Sequence, residues 1–248
     1  MWFSVDNKKI IYNKLLKFYY KKMYNFTVCS SEFSRKNMME AFWNKNVIIT
    51  GLPRNDILVN DMKYKNNRLK QKIILYAPTF RDKHINTLEP FSKSFYIELN
   101  NYCKNNNFIF YIKPHPNTKQ ILNFKNNFSN IKIINDDIQS ILLKTEILIT
   151  DYSSVYIDFL LTKKPIIFYS YDLNKYINDR NFYIDYKKWI INKSLVYNEK
   201  DLLKNLKNNS YFNREEYLKE YNNLLNLFHK YKDWKYCERV LNYLLNKK

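Results

Sequence analysis

Glu-Ile-Leu-Ile-Thr-Asp-Tyr-Ser-Ser-Val-Tyr-Ile-Asp-Phe-Leu-Leu-Thr-Lys-Lys-Pro-Ile-Ile-Phe-Tyr-Ser, residues 146–170, decides how the rest of the chain is read. The apolar run Ile147–Ile149 predicts a buried strand, and Asp151-Tyr152-Ser153-Ser154 a polar break. Val155–Thr162 then reads as a short helix, Lys163-Lys164-Pro165 as a turn, and Ile166–Tyr169 as the next strand. The polar turn thus sits at the carboxyl end of a parallel strand and the amino end of a helix. Open α/β sheets bind ligands at such places, and exposed N–H groups at a helix start favour an anion. Asp151, Ser153 and Ser154 are also ordinary N-cap residue types, but capping alone needs one of them.

The same rhythm extends outward. Ile73–Tyr76 predicts a strand ending at Ala77-Pro78-Thr79-Phe80-Arg81, and Phe91–Asn105 a helix. Phe108–Ile112 is a strand ending at Lys113-Pro114-His115-Pro116. A helix about 118–127, a strand Ile131–Ile134 and a helix capped by Asp137 follow. Alternation of this kind predicts an α/β fold with a doubly wound parallel sheet. Towards the amino terminus, residues 8–25 read as a basic, aromatic-rich helix. Phe26–Cys29 and Val47–Ile49 read as strands flanking a helix that starts at Ser30-Ser31-Glu32 and runs to about Trp43. Residues 60–71 look like a linker, and 201–208 and most of 214–246 like helices. The expected division is therefore a small unit, 1–60, and a larger one, 61–248.

Composition narrows the function classes. The formal charge is +19 over 248 residues, which suggests an anionic partner such as a phosphorylated ligand, nucleic acid or anionic lipid surface. Abundant Lys, Asn, Ile and Tyr, all encoded by A/T-rich codons, offer a second explanation. Cys29, Cys103 and Cys237 match no zinc spacing and fit a reducing compartment. No run approaches the ~20 apolar residues of a membrane span, so a cytoplasmic protein is expected, bound at most peripherally to a membrane. Gly51 is the only glycine. That excludes the Walker A loop and the dinucleotide fingerprint, and marks Thr50-Gly51-Leu52-Pro53-Arg54-Asn55-Asp56 as a special turn.

Three polar loops follow strands whose carboxyl ends share one sheet edge, so Arg81, Lys113, His115, Ser153 and Ser154 are expected in one crevice. Cations, an imidazole, hydroxyls and a helix start suit a pyrophosphate. His115 stands between two prolines, which stiffen the backbone; His84 and His229 lack such context and read as surface or packing residues. Asp158, four residues after Ser154, lies on the same helix face, either facing ribose hydroxyls or complementing the helix start. Asp136-Asp137 reads as a helix cap. No His/Cys cluster or nucleophile triad emerges, so neither a metal nor a cofactor is expected.

Taken together, these stretches resemble the CDP-glycerol glycerophosphotransferase family, the teichoic-acid-type polymerases and primases. They are Ser31-Glu32-Phe33, Gly51 to Asp56, Tyr76 to Arg81, Lys113 to Pro116, Ile149 to Ser154 with Asp158, Lys164-Pro165-Ile166, and Tyr171-Asp172 with Tyr176 and Arg180. The resemblance covers about residues 26–186. It implies the carboxyl-terminal, nucleotide-binding Rossmann-like half of a GT-B architecture, with a remnant of the amino-terminal half. It also implies transfer of glycerol phosphate or a related polyol phosphate from a CDP-linked donor to a lipid-linked or polymeric acceptor at the cytoplasmic membrane face. His115, Arg81 and Lys113 would then serve catalysis, and Ser153, Ser154, Asp151, Asp158, Arg180 and Arg54 the donor. The family's Trp-His-Gly segment is missing, its Arg-Gly is Arg180-Asn181 here, and the Pro-Gly expected next is absent. A truncated frame, or a separate polypeptide supplying the other half, is the expectation that follows. Two other classes stay open: a GT-B glycosyltransferase using another nucleotide sugar, and a basic module binding nucleic acid or membrane. No recognised nucleic-acid motif supports the last.

Overall fold

The computed structural model describes residues 23–42, 44–60, 71–81, 91–115, 128–180, 186–208 and 212–246, with the backbone alone at Asp179 and Arg180. Of the expected helix over 8–25, only residues 23–25 are described, with 23 alone helical; the expected helix over 118–127, residues 61–70 and His84 lie outside the described residues. Six strands form one parallel sheet: β3 (Lys72–Ala77), β4 (Phe108–Ile112), β5 (Ile131–Ile133), β6 (Thr145–Thr150), β7 (Ile166–Tyr169) and β8 (Leu195–Val196). Their order is β5-β4-β3-β6-β7-β8. The chain therefore winds outward from β3 in one direction, returns to β6 beside it, and winds outward in the other. That is the doubly wound order, and its topological switch point falls between β3 and β6.

Burial follows from the connectivity. Every residue of β7, and all of β3 except Lys72, is buried, as expected where helices cover both faces. The covering helices start where the sequence provides caps. Asp137 Oδ2 accepts from the Ser140 amide at 3.0 Å to start α4 (Ile138–Lys144). Ser92 Oγ accepts from the Phe95 amide at 3.2 Å to start α3 (Lys93–Asn105), and Asn198 Oδ1 accepts from the Asp201 amide at 2.9 Å in α7 (Glu199–Lys207).

The amino-terminal unit is β1 (Thr27–Cys29), α1 (Glu32–Phe42) and β2 (Val47–Ile49), its two strands parallel. Gly51 follows at φ +80°. A Cβ there would lie 2.4 Å from Cδ1 of Tyr236, so both the backbone angle and the neighbouring ring demand glycine. Asp56, in α2 (Asp56–Asn60), accepts from the amides of Tyr236 and Cys237, each at 2.8 Å. These two residues open the final helix.

The sequence expected 214–246 to be mostly helical. The structure divides it into α8 (Glu215–Phe228) and α9 (Tyr236–Leu245), with His229 closing the first. The break lets α9 return to the amino-terminal unit, where Lys230 N–H donates to the Ser30 carbonyl at 2.8 Å and Tyr243 Oη to Asn46 Oδ1 at 3.0 Å. The short edge strand β8 and helix α6 (Leu173–Arg180) were not anticipated from sequence.

Candidate functional site

The loops after β4, β3 and β6 follow adjacent strands, and side-chain contacts join them in pairs. The β3 loop is the bridge. On one side, Thr79 N–H and Oγ1 both donate to Asp151 Oδ1, at 2.8 and 2.7 Å. On the other, the Phe80 ring lies 5.7 Å from the His115 imidazole. These contacts tie the three loops together above the switch point.

Arg81 departs from the expected role. Its side chain is only 3% exposed. Nη2 donates to Asp151 Oδ2 at 2.7 Å and to Asp172 Oδ1 at 3.0 Å, Nε to Asp172 Oδ2 at 2.9 Å, and Nη1 to the Thr79 carbonyl at 2.6 Å. The guanidinium packs 5.0 Å from the Tyr152 ring centre and 4.6 Å from that of Tyr176, and these rings stack at 4.0 Å. One guanidinium against two carboxylates leaves the cluster with a net negative charge, which cannot itself attract a phosphate. Asp151, fully buried, is likewise consumed by Thr79 and Arg81. The two residues brace the β3 and β6 loops and α6, where sequence reasoning had placed them on the ligand. Coulombic attraction from Asp151 and hydrogen bonding to Asp172 keep Arg81 charged despite its burial, while burial, aided by Asp172, pushes the Tyr152 phenol far above its ordinary range.

The flanking loops carry Ser153 and Ser154 after β6 and Lys113 and His115 after β4. Ser154 is exposed and begins α5 (Val155–Phe159) without a side-chain cap of its own. Ser153 Oγ accepts from the Val155 amide at 3.4 Å. Lys113 is half-buried after β4 and close enough to help lower the Asp137 carboxyl pKa, which falls mainly through the Ser140 amide. Partial burial lowers the His115 pKa.

Asp158 is buried and shared. It accepts from Arg54 Nε at 3.0 Å, Asn55 Nδ2 at 2.7 Å and Gln139 Nε2 at 3.1 Å. It therefore fastens the Gly51 turn and the start of α4 to α5. Asn55 and Gln139 were missed from sequence because neither residue type signals a site alone; the Gly51 turn was the available clue. The Arg54 side chain is 58% exposed and keeps a face towards solvent. Arg180 ends α6, a helix away from Asp172, and its side chain lies outside the description. His229 is buried, with Nε2 2.7 Å from the Ile157 carbonyl oxygen, a packing residue as expected. Among the described residues no group of three or more metal-capable side chains gathers, and no helix is long and apolar enough to cross a membrane.

Residues 4–246 match the family described as CDP-Glycerol:Poly(glycerophosphate) glycerophosphotransferase. The teichoic acid ribitol-phosphate polymerase TarL of Staphylococcus aureus (strain NCTC 8325 / PS 47) is 33% identical over 90% of this chain and 42% of its own. The teichoic acid glycerol-phosphate primase of Bacillus subtilis (strain 168) is 30% identical over 90% of this chain and 58% of its own. The chain thus spans about half the length of these relatives. A structure of the wall teichoic acid polymerase TagF superposes with a TM-score of 0.76 at 21% identity, covering 100% of this chain and 63% of that one.

Proposed function

Because this chain belongs to the CDP-glycerol:poly(glycerophosphate) glycerophosphotransferase family, we propose that its crevice holds a CDP-linked polyol-phosphate donor. The reaction transfers glycerol phosphate, or a related polyol phosphate, to a hydroxyl of a lipid-linked or polymeric acceptor. The observation that carries this reading is the β3 loop, which touches the loops of both neighbouring strands at the switch point.

In this reading the acceptor oxygen attacks the donor's β-phosphorus, the bond to the oxygen bridging the α-phosphate breaks, and CMP departs; the acceptor loses its proton. Ser153, Ser154 and the first amides of α5 hold the diphosphate. Lys113 neutralises charge on the phosphoryl oxygens, and the His115 N–H donates to the same group. Arg81 and Asp151 act one layer back by fixing the loops, and Arg54, with Asp158 behind it, flanks the nucleoside. The site of action is the inner face of the plasma membrane, where the chain's positive charge favours anionic lipid.

Charge-assisted contacts are worth roughly 1.5–3 kcal/mol each, so three or four supply about 4.5–12 kcal/mol against the cost of association. Titration with CDP, UDP and GDP tests the assignment: CDP binds at least tenfold more tightly than the others. A preference for UDP or GDP would transfer the site to a nucleotide-sugar glycosyltransferase.

A further inference from the structure

Away from the crevice, α3 and α7 enclose a groove of about 620 Å³ lined by Ser94, Phe95, Glu98, Lys200, Lys204 and Lys207 among others. We propose that this groove is a second anion site, holding the polyol-phosphate chain of the acceptor or product at a distance from the reacting centre. The inference rests on the proposed transfer to a polyol-phosphate polymer.

Three features select that occupant. Lys200, Lys204 and Lys207 follow an i, i+4, i+7 pattern, so they share one face of α7 and are exposed. A rise of 1.5 Å per residue puts Lys200 and Lys204 about 6 Å apart along the axis, comparable to one repeat of an extended glycerol phosphate backbone. The floor, Phe95 and Leu203, is apolar and buried, suiting the CH₂ groups between phosphates. The two carboxylates in the wall are partly engaged: Glu98 lies 3.7 Å from Lys207 Nζ, and Glu199 accepts from Ser92 Oγ at 2.6 Å. Ser92 and Glu199 stand at the starts of α3 and α7. Both helices follow loops from the sheet's carboxyl edge.

A protein of charge +19 attracts any polyanion, so the test must remove charge locally. Fluorescently labelled poly(glycerol phosphate) of about eight units is titrated against the full chain carrying Lys200→Gln, Lys204→Gln and Lys207→Gln. A control carries the same charge change at exposed Lys104, Lys132 and Lys144. The groove variant should bind at least tenfold more weakly, with a salt dependence of log K shallower by about two, as for a single-stranded polyanion losing three contacts. The control should stay within twofold of wild type. Equal losses in both variants, or none in either, overturn the proposal. So does an oligonucleotide of equal charge that competes as well as the polymer. CDP affinity is measured in parallel: its absence in wild type would sink the donor reading, whereas the polymer titrations bear on the groove.

Discussion

Arg81, which the resemblance assigned to catalysis, and Arg54, which it assigned to the donor, have different surroundings. Arg81 is enclosed by Asp151, Asp172 and two tyrosine rings, and Arg54 lies half in solvent over Asp158. Replacing Arg81 by Ala leaves two carboxylates in the interior without their cation, so chemical denaturation should show a loss of about 3–5 kcal/mol. His115→Ala, at a half-buried loop position, should change stability by less than about 1 kcal/mol while weakening donor binding. The lowered His115 pKa adds a pH signature. An arriving diphosphate favours the imidazolium, so CDP affinity should rise as pH falls from 8 to 6, more steeply than in His115→Gln; equal slopes would remove His115 from the phosphate. Residue types and their clustering were legible in the sequence. Which cation faced the ligand was not, because only the fold shows that Asp172, from the β7 loop, takes the Arg81 guanidinium.

At the scale of elements, the strands and helices of the large unit were readable because buried parallel strands are continuous apolar runs and because Asp137 announces its helix, whereas the Ser92 cap of α3 was not singled out. Strand β8 carries two residues on the sheet edge and gives no periodic signal. The break between α8 and α9 was hidden by helix-forming residues on both sides, and tertiary contacts to Ser30 and Asp56 decide it. Among the described residues, Asn107 and Lys163 take the other left-handed positions. Gly51 is also pressed by the Tyr236 ring. Gly51→Ala should therefore cost about 2–5 kcal/mol, combining the left-handed penalty with overpacking against Tyr236; thermal and denaturant melts report it directly. His229, at the end of α8, adds an acid sensitivity. Burial lowers its folded pKa, so the unfolded state binds the extra proton first. Stability should fall as pH drops below about 6.5, and His229→Gln should flatten that part of the profile.

At the scale of the molecule, the doubly wound order puts the loops after β4, β3 and β6 on one edge, and the Gly51 turn is tied to α5 through Asp158. The fold class and the meeting of three loops followed from alternation alone, since parallel strands must end together. The return of α9 to the first unit did not, because it depends on contacts more than 180 residues apart in sequence. Calorimetric titration of the folded chain with CDP-glycerol, beside Ser153→Ala and His115→Ala, bears on the convergence itself. One site of about micromolar affinity, weakened at least tenfold by either substitution with the fold intact, is the predicted result. Absence of binding by the folded wild-type chain, or equal binding by all three proteins, would contradict it.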